Sequence, residues 1–328
     1  MVSQHDTKLL HKDVANNGAL DGASLSKNQN TSSTALILEG GSYRGIFTAG
    51  VLDVLREKGV TNFESVWGTS AGAINSVSFK SKQIGRAMRI MLAFRDDPRF
   101  MSFRSLVTTG NIAGGEFMYK EIQNHLDPCD NEAFNSNPMQ MYAVASDVTF
   151  GTPAYLHVKS LPDDIKMVQA SASMPTVSRM VELDGHRYLD GGTTDSIPFA
   201  AALGLPDGQA EYPVVIPDHK PAKKALVIVT QDHDYVKTDM NEQIAIRSQF
   251  YTAYPYYEAA LASRSERYMD QRKQLFELQN EGRVLVLEPP EPVEVKVNEK
   301  SGEALLSLYL TGRKVALDRL EEIKSFIE

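Results

Sequence analysis

The chain has 328 residues, 42% of them hydrophobic and 23% charged, with a formal net charge of −8; this is ordinary globular composition with material for a sizeable core. The acidic balance, with no clustered Lys and Arg, argues against a nucleic-acid binder and against simple electrostatic docking on an anionic membrane. One cysteine, Cys129, excludes an internal disulfide framework and a multi-cysteine zinc site, and fits a reducing compartment.

Residues 1–33 are rich in Asn, Ser, Asp and Lys and read as a disordered or loosely attached segment. They lack the apolar core of about 7 to 15 residues that a secretory signal needs. No later run reaches the roughly 18 to 20 apolar residues of a membrane span. The cytoplasm is the expected location.

From residue 34 on, short apolar runs alternate with amphipathic stretches, the pattern of an α/β fold. ALILE (35–39) predicts a buried strand, GGSYRG (40–45) a loop, and IFTAGVLDVLREKG a helix stopped at Gly59. FESVWG (63–68) predicts a second strand and AGAINSVSF (71–79) a second helix of small residues, so the two strands should be parallel. Residues 83–94 read as helical and 98–137 as irregular, with Pro98, Pro128, Pro138, Gly114 and Gly115. MQMYAVASD (139–147) and AYLHV (154–158) read as strands, DDIKMVQASAS (163–173) as a helix stopped near Pro175. RMVELDGHRYLDGG (179–192) predicts a hairpin with a type I′ turn at Asp184-Gly185. KKALVIVT (223–230) and RVLVLE (283–288) read as strands. Between them lies a long helical region, 241–281, broken near Pro255, and a terminal helix follows Thr311. EPPEPVEVKV (288–297) reads as a linker or edge segment, so 34–328 is expected to be one catalytic domain.

GTSAG (68–72) is a G-x-S-x-G match between an apolar strand and a helix, the strand-turn-helix setting that exposes a serine hydroxyl. An idle serine in a crowded turn is the competing reading of Ser70. The loop at 40–45 also follows a strand and opens a helix, so both loops should emerge at one sheet edge. Backbone N–H groups of Gly40, Gly41 and Ser42 can then face Ser70 and receive a tetrahedral oxyanion. Ile46 and Phe47 stand where a phosphate loop has Lys and Ser/Thr, and the spacing of a dinucleotide fingerprint is absent. His125, His157, His186, His219 and His233 all follow the serine, so a Ser-His-Asp triad is open by inventory. Topology argues against it: a hydrolase of that type has several strands before its serine, and here there is one. The alternative base is Asp190 in RYLDGGTTDSIP, where an ordinary Asp-Gly-Gly turn is the bland explanation.

EGGSYRG (39–45), GTSAG (68–72) and DGG (190–192), in that order, resemble the patatin-like phospholipase family. QASASMP (169–175) resembles the family's small-residue stretch ahead of its aspartate, and the likeness spans about 35–200, fading in 201–328. The resemblance implies a patatin-like three-layer α/β/α fold with a mainly parallel central sheet, plus a helical C-terminal region. It implies Ser70 as nucleophile, Asp190 as its base, and an oxyanion hole from Gly40, Gly41 and Ser42, with Arg44, Gly45, Gly68, Gly72 and Gly191 as supporting positions. Ser42 departs from the pattern, since the family usually has a third glycine there, and its side chain restricts φ or narrows the hole.

The implied reaction is hydrolysis of a lipid acyl ester through an acyl-enzyme, with no cofactor, no metal, no nucleic-acid partner and transient membrane-surface contact at most. A buried Asp190 should have a raised pKa, and Arg44 should support its loop or meet an anionic head group. Phe94, Phe100, Met101, Phe103, Leu106 and Val107 are candidates for an acyl groove or lid, against ordinary core packing. QDHDYVK (231–237) reads as a solvated turn. The other functional readings are a Ser-His-Asp esterase, an acyltransferase, and a catalytically weak binding protein on the same fold.

Overall fold

The protein is described from a computed structural model covering residues 33–100, 115–208, 210–238, 240–296 and 299–328. The expectation for residues 1–32 and the groove candidates Met101, Phe103, Leu106 and Val107 lie outside these residues. In chain order, β1 (Thr34–Leu38) leads into α1 (Gly45–Glu57), and β2 (Ser65–Thr69) into α2 (Ala71–Lys80) and α3 (Arg86–Phe94). Next come α4 (Phe117–Leu126), α5 (Asn131–Ser136), β3 (Gln140–Asp147), β4 (Thr152–His157), α6 (Ile165–Ser171), β5 (Val181–Leu183) and β6 (His186–Asp190). α7 (Phe199–Leu203), β7 (Lys224–Ile228), α8 (Met240–Arg247), α9 (Pro255–Ala262), α10 (Arg264–Asn280), β8 (Val284–Leu287), α11 (Gly302–Asp318) and α12 (Leu320–Ile327) follow.

Five strands run parallel in the order β3-β2-β1-β7-β8, and β4, β5 and β6 add antiparallel pairings around β3. Continuous apolar runs such as TALIL suit a sheet buried on both faces. The period of two sorts the side chains: Leu36, Leu38, Val66, Leu226 and Ile228 enter one core with α1, α2 and α11. Ala35, Ile37, Trp67, Ala225 and Val227 enter the other with α7 and α10. This is the three-layer α/β/α arrangement with a mainly parallel sheet and a helical C-terminal part. Asp184 and Gly185 both take left-handed φ, 50° and 83°, as the type I′ hairpin turn requires. No helix among the described residues is long and apolar enough to cross a membrane.

Two expectations need correction. The stretch 98–137 contains α4 and α5; α5 is capped by the Asp130 carboxylate, which accepts from Ala133 N–H at 2.8 Å. The terminal helix starts at Gly302 and not after Thr311, because the Ser301 hydroxyl accepts from Ala304 N–H at 3.1 Å and nucleates it earlier. The helical region 241–281 is interrupted near Pro255 as expected: α8 ends at Arg247, and Pro255 opens α9, since a proline costs little in a first turn.

α1 and α11 cross at two glycines. A Cβ on Gly50 would lie 2.1 Å from the Tyr309 carbonyl oxygen, and one on Gly312 would lie 2.1 Å from that of Phe47. The Tyr309 hydroxyl donates to Asp53 at 2.7 Å, and Arg313 grips Glu57 at 2.8 and 2.9 Å. The C-terminal helix is thereby fixed to the helix that follows the first glycine-rich loop.

Candidate active site

Strand β3 brings the two key residues together. Thr69, the last residue of β2, pairs with Val144, and Asp190, the last of β6, pairs with Ala145. Because β4 occupies the other edge of β3 across 142–147, β6 takes the edge that β2 leaves. Ser70 and Asp190 therefore follow consecutive partners on one strand. Ser70 turns the chain into α2 at φ 55°, ψ −119°, a strained left-handed conformation that lifts its side chain out of the strand. Its N–H donates to the Ser171 hydroxyl at 2.9 Å, which donates on to the Val144 carbonyl at 2.6 Å. Gly72 and Gly191 are needed for close approach: an added Cβ would meet the Leu38 carbonyl oxygen at 2.3 Å and the Val144 carbonyl oxygen at 2.1 Å, respectively. Gly68 lies equally tight under the start of α2.

The Ser70 side chain lies beside the Asp190 carboxylate, close enough to lower its pKa. Asp190 is 6% exposed, and its Oδ1 also accepts the Gly192 N–H at 2.8 Å. Burial raises its pKa above the ordinary carboxylate value; the neighbouring Ser70 side chain, the Gly192 hydrogen bond and the nearby charges of Arg264 and Lys237 oppose that rise. The carboxylate is thus a stronger base than a solvated one, and it stands beside the hydroxyl whose proton a nucleophilic serine must lose.

The first loop lies beside it. A Cβ on Gly40 would be 3.1 Å from Ser70 Cβ, and Gly41 backs onto Thr230. No described group accepts the Gly41 N–H. Gly45 begins α1 against Ala71, and its carbonyl accepts from Asn75 Nδ2 at 2.8 Å, so the starts of α1 and α2 are bound together. The Glu39 carboxylate anchors the loop from below, accepting from the Thr230 N–H, from the Thr230 hydroxyl at 3.1 Å and from the Tyr268 hydroxyl at 2.6 Å. Arg44 holds a buried Nε that finds no hydrogen-bond partner among the described residues.

Ser42 sits at φ 50°, where a side chain costs about 1–2 kcal/mol. Glycine recovers that strain and gives back roughly 0.5–1 kcal/mol of unfolded-state entropy. Ser42→Gly is expected to raise the unfolding free energy by up to about 1 kcal/mol, read as an increased denaturation midpoint; an unchanged or lower midpoint contradicts the strain argument.

An apolar pocket opens next to this loop. It encloses about 570 Å³, part of it open to solvent, and runs from Ser42, Gly45 and Ala71 past Ile74, Ile90 and Met91 to Phe100, Met118 and Ile122. Of the expected groove residues Phe100 lines it; Phe94 packs behind, against Phe100 and Phe117. The histidines are engaged elsewhere: His157 stacks on Tyr142, His186 bonds Asp147 at 2.7 Å, His219 meets the Ala202 carbonyl at 3.1 Å, and His233 meets Glu288 at 3.3 Å. No hydrogen bond between Ser70 and a histidine occurs among the described residues, and no group of three or more His, Cys, Asp or Glu there could hold a metal.

Several residues around the site escaped the sequence reading. Lys237, in the stretch read as a solvated turn, lies near Arg44, Glu39, Glu242 and Arg264, and burial pulls its pKa down to about 8. Asp195, five residues past Asp190, is buried; it accepts from Tyr155 at 2.9 Å and Gln271 at 2.8 Å, and burial beside Asp207 raises its pKa to about 7. Arg264, Arg267 and Tyr268 reach the loops from α10. The available signal was the second acid in DGGTTDSIP and the dense polar composition of 264–274.

A family model described as patatin-like phospholipase matches residues 36–203, which contain the Gly40–Gly45 loop, Ser70 and Asp190. Residues 254–328 match a domain of unknown function, DUF6363. The uncharacterized protein YjjU of Escherichia coli is 31% identical over 172 residues, 51% of this chain and 48% of the relative. An uncharacterized NTE family protein of Mycobacterium tuberculosis is 25% identical over 171 residues, 52% of this chain and 46% of its own. The alignments thus take in about half of each relative's length. Among solved structures, VipD from Legionella pneumophila aligns over 88% of this chain and 67% of its own, with a TM-score of 0.42 and 14% identity.

Proposed function

Since the chain belongs to the patatin-like phospholipase family, we propose that it is a serine lipid acyl hydrolase working through a Ser70–Asp190 dyad. The observation that carries this reading is the Ser70 side chain set beside the buried Asp190 carboxylate, with the neighbouring Ala71 and the loop residues Ser42 and Gly45 lining an apolar pocket. Residues 34–328 act as one catalytic domain, placed in the cytoplasm, with a phospholipid, lysophospholipid or simpler carboxylic ester as substrate.

Ser70 Oγ attacks the ester carbonyl while Asp190 takes its proton. The developing oxyanion sits against the backbone N–H groups of residues 40–42 at the positive end of α1. Collapse breaks the carbon–alkoxide bond, and the proton on Asp190 passes to the departing alcohol. Asp190 then removes a proton from water, which attacks the acyl-enzyme; collapse breaks the carbon–Oγ bond, and Asp190 returns the proton to Ser70 as the acid leaves. The pocket walls from Ile74 to Ile122 are apolar and suit an acyl chain. A histidine-based triad has less support, because the five later histidines have no recorded bond to Ser70 and four are occupied elsewhere.

Fluorophosphonate labelling with peptide mapping tests the reading, with hydrolysis of p-nitrophenyl esters and phospholipid vesicles measured in parallel. Wild-type protein should be labelled at Ser70, and Ser70→Ala should lose labelling and at least about 10³-fold of ester turnover. Folded wild-type protein that is neither labelled nor active overturns the assignment.

A further inference from the structure

Helix α10 begins RSERYMDQRKQ, and Arg264, Arg267, Tyr268, Gln271 and Arg272 fall at i, i+3, i+4, i+7 and i+8, on one face. A helix packed on a sheet ordinarily turns an apolar stripe inward. This face is polar and still goes inward: Tyr268 is 4% exposed, Gln271 1% and Arg272 2%. Burying such groups is costly unless each finds a partner, and each residue does, although Arg272 Nη1 is left without one among the described residues.

Apart from Glu242 on α8, the partners belong to three loops at the carboxyl edge of the sheet. Arg264 Nε donates to the Gly192 carbonyl and a second nitrogen to Glu242 on α8 at 2.7 Å. Arg267 donates to the Thr193 carbonyl at 2.8 Å, so both arginines hold the DGGT turn after Asp190. Tyr268 donates to Glu39, which carries the first glycine-rich loop, at 2.6 Å. Gln271 donates to Asp195 at 2.8 Å, and Arg272 to the carbonyls of Asp232 and His233 at 2.7 and 3.0 Å in the loop after β7.

We propose that α10 is the positioning helix of the active site, with Arg264 holding the base loop and Tyr268 the oxyanion loop on one rigid rod. The inference rests on the Ser70–Asp190 reading and assigns a role to the part of the chain that matches a domain of unknown function. The geometric demand is strict: a displacement of about 1 Å in a reacting group costs on the order of 10²-fold in rate. The Asp190 and oxyanion loops belong to segments some 150 residues apart in sequence, about 45 Å along an ideal strand for every 14 residues, so local chain geometry cannot fix their spacing. A helix that bonds to both can.

Arg264 also acts on the charge of the base. The groups around Asp190 are the Ser70 hydroxyl, the Gly192 N–H, Arg264 from α10 and Lys237 from the loop after β7, with Tyr119 of α4 and Tyr257 of α9 close enough to feel its charge. Removing the guanidinium takes away a cation that favours the carboxylate, so Asp190 should hold its proton to higher pH.

The test compares wild type with Arg264→Gln, Arg264→Lys and Tyr268→Phe, measuring the rate constant of fluorophosphonate labelling at Ser70 across pH, beside melting temperature. Arg264→Gln should slow labelling 10- to 100-fold at neutral pH and move the acid limb of the profile upward. Arg264→Lys should return the limb toward its wild-type position while the rate stays depressed. Tyr268→Phe should slow labelling about 10-fold with the limb unmoved. Wild-type rates and limbs in all three folded variants overturn the positioning role and leave the dyad standing. Slower labelling that follows only the unfolded fraction, with no shift of the limb, assigns α10 a purely structural role and also overturns the inference. Absence of labelling at Ser70 in wild type removes the dyad and this inference with it.

Discussion

Asp190→Asn is expected to lower the rate of Ser70 acylation by on the order of 10²- to 10⁴-fold while leaving the fold as stable as the wild type or more so at neutral pH. The amide retains an oxygen for the Gly192 N–H, whose bond to Asp190 is 2.8 Å, but it cannot accept the serine proton. In the wild type, kcat/KM should rise with pH through a pKa above the ordinary carboxylate range, because burial is the largest influence on Asp190. The sign for stability runs the other way. A carboxyl whose folded pKa exceeds its unfolded one binds its proton more tightly when native, so its contribution is complete below the unfolded pKa and is lost as pH rises through the folded one. At pH 8 the wild type bears a buried carboxylate that the Asn variant does not. Denaturant unfolding at pH 5 and pH 8 should show the stability difference shifting toward the variant with pH, by at most about 1.4 kcal/mol per unit. A variant that keeps full acylation rate removes Asp190 from the mechanism.

The parts of this architecture that follow from short-range rules were legible in the sequence. TALIL and SVWGT alternate between two cores, which requires helices on both faces, and the helix-opening loops after them had to share one edge. The contribution of β3 was not legible in advance. Nothing local to Asp190 says that it continues the edge Thr69 has left; that follows from pairings with Val144 and Ala145, residues far away in sequence. α10 was hidden for a different reason. Its inward face carries Arg264, Arg267, Gln271 and Arg272, and a polar stripe reads as solvated until its partners on other segments are known. Lys237 was misread by the same rule, since a charged residue near a turn is exposed by default. The boundary error was local: the terminal helix was expected only after Thr311, and the Ser301 cap shows why it starts at Gly302.

Gly312→Ala should destabilise the protein by about 2–3 kcal/mol and slow Ser70 labelling before it unfolds the chain. The new Cβ has to occupy a point 2.1 Å from the Phe47 carbonyl oxygen, a backbone atom that cannot turn aside. Relief requires α1 and α11 to separate. Separation strains the Tyr309–Asp53 bond of 2.7 Å and the Arg313–Glu57 pair, and it carries the start of α1 with it. That start is Gly45, whose carbonyl is held by Asn75 of the helix opened by Ser70, so the spacing between the loop at 40–42 and the serine changes with the crossing. Gly50→Ala should behave alike, because its Cβ would meet the Tyr309 carbonyl oxygen at 2.1 Å. Tyr309→Phe loses one hydrogen bond without moving backbone and should cost only about 1 kcal/mol, with labelling nearly unchanged. Measured together, the three separate a displaced oxyanion loop from a general loss of stability: equal labelling rates for folded Gly312→Ala and Tyr309→Phe would mean that the helix crossing does not reach the site.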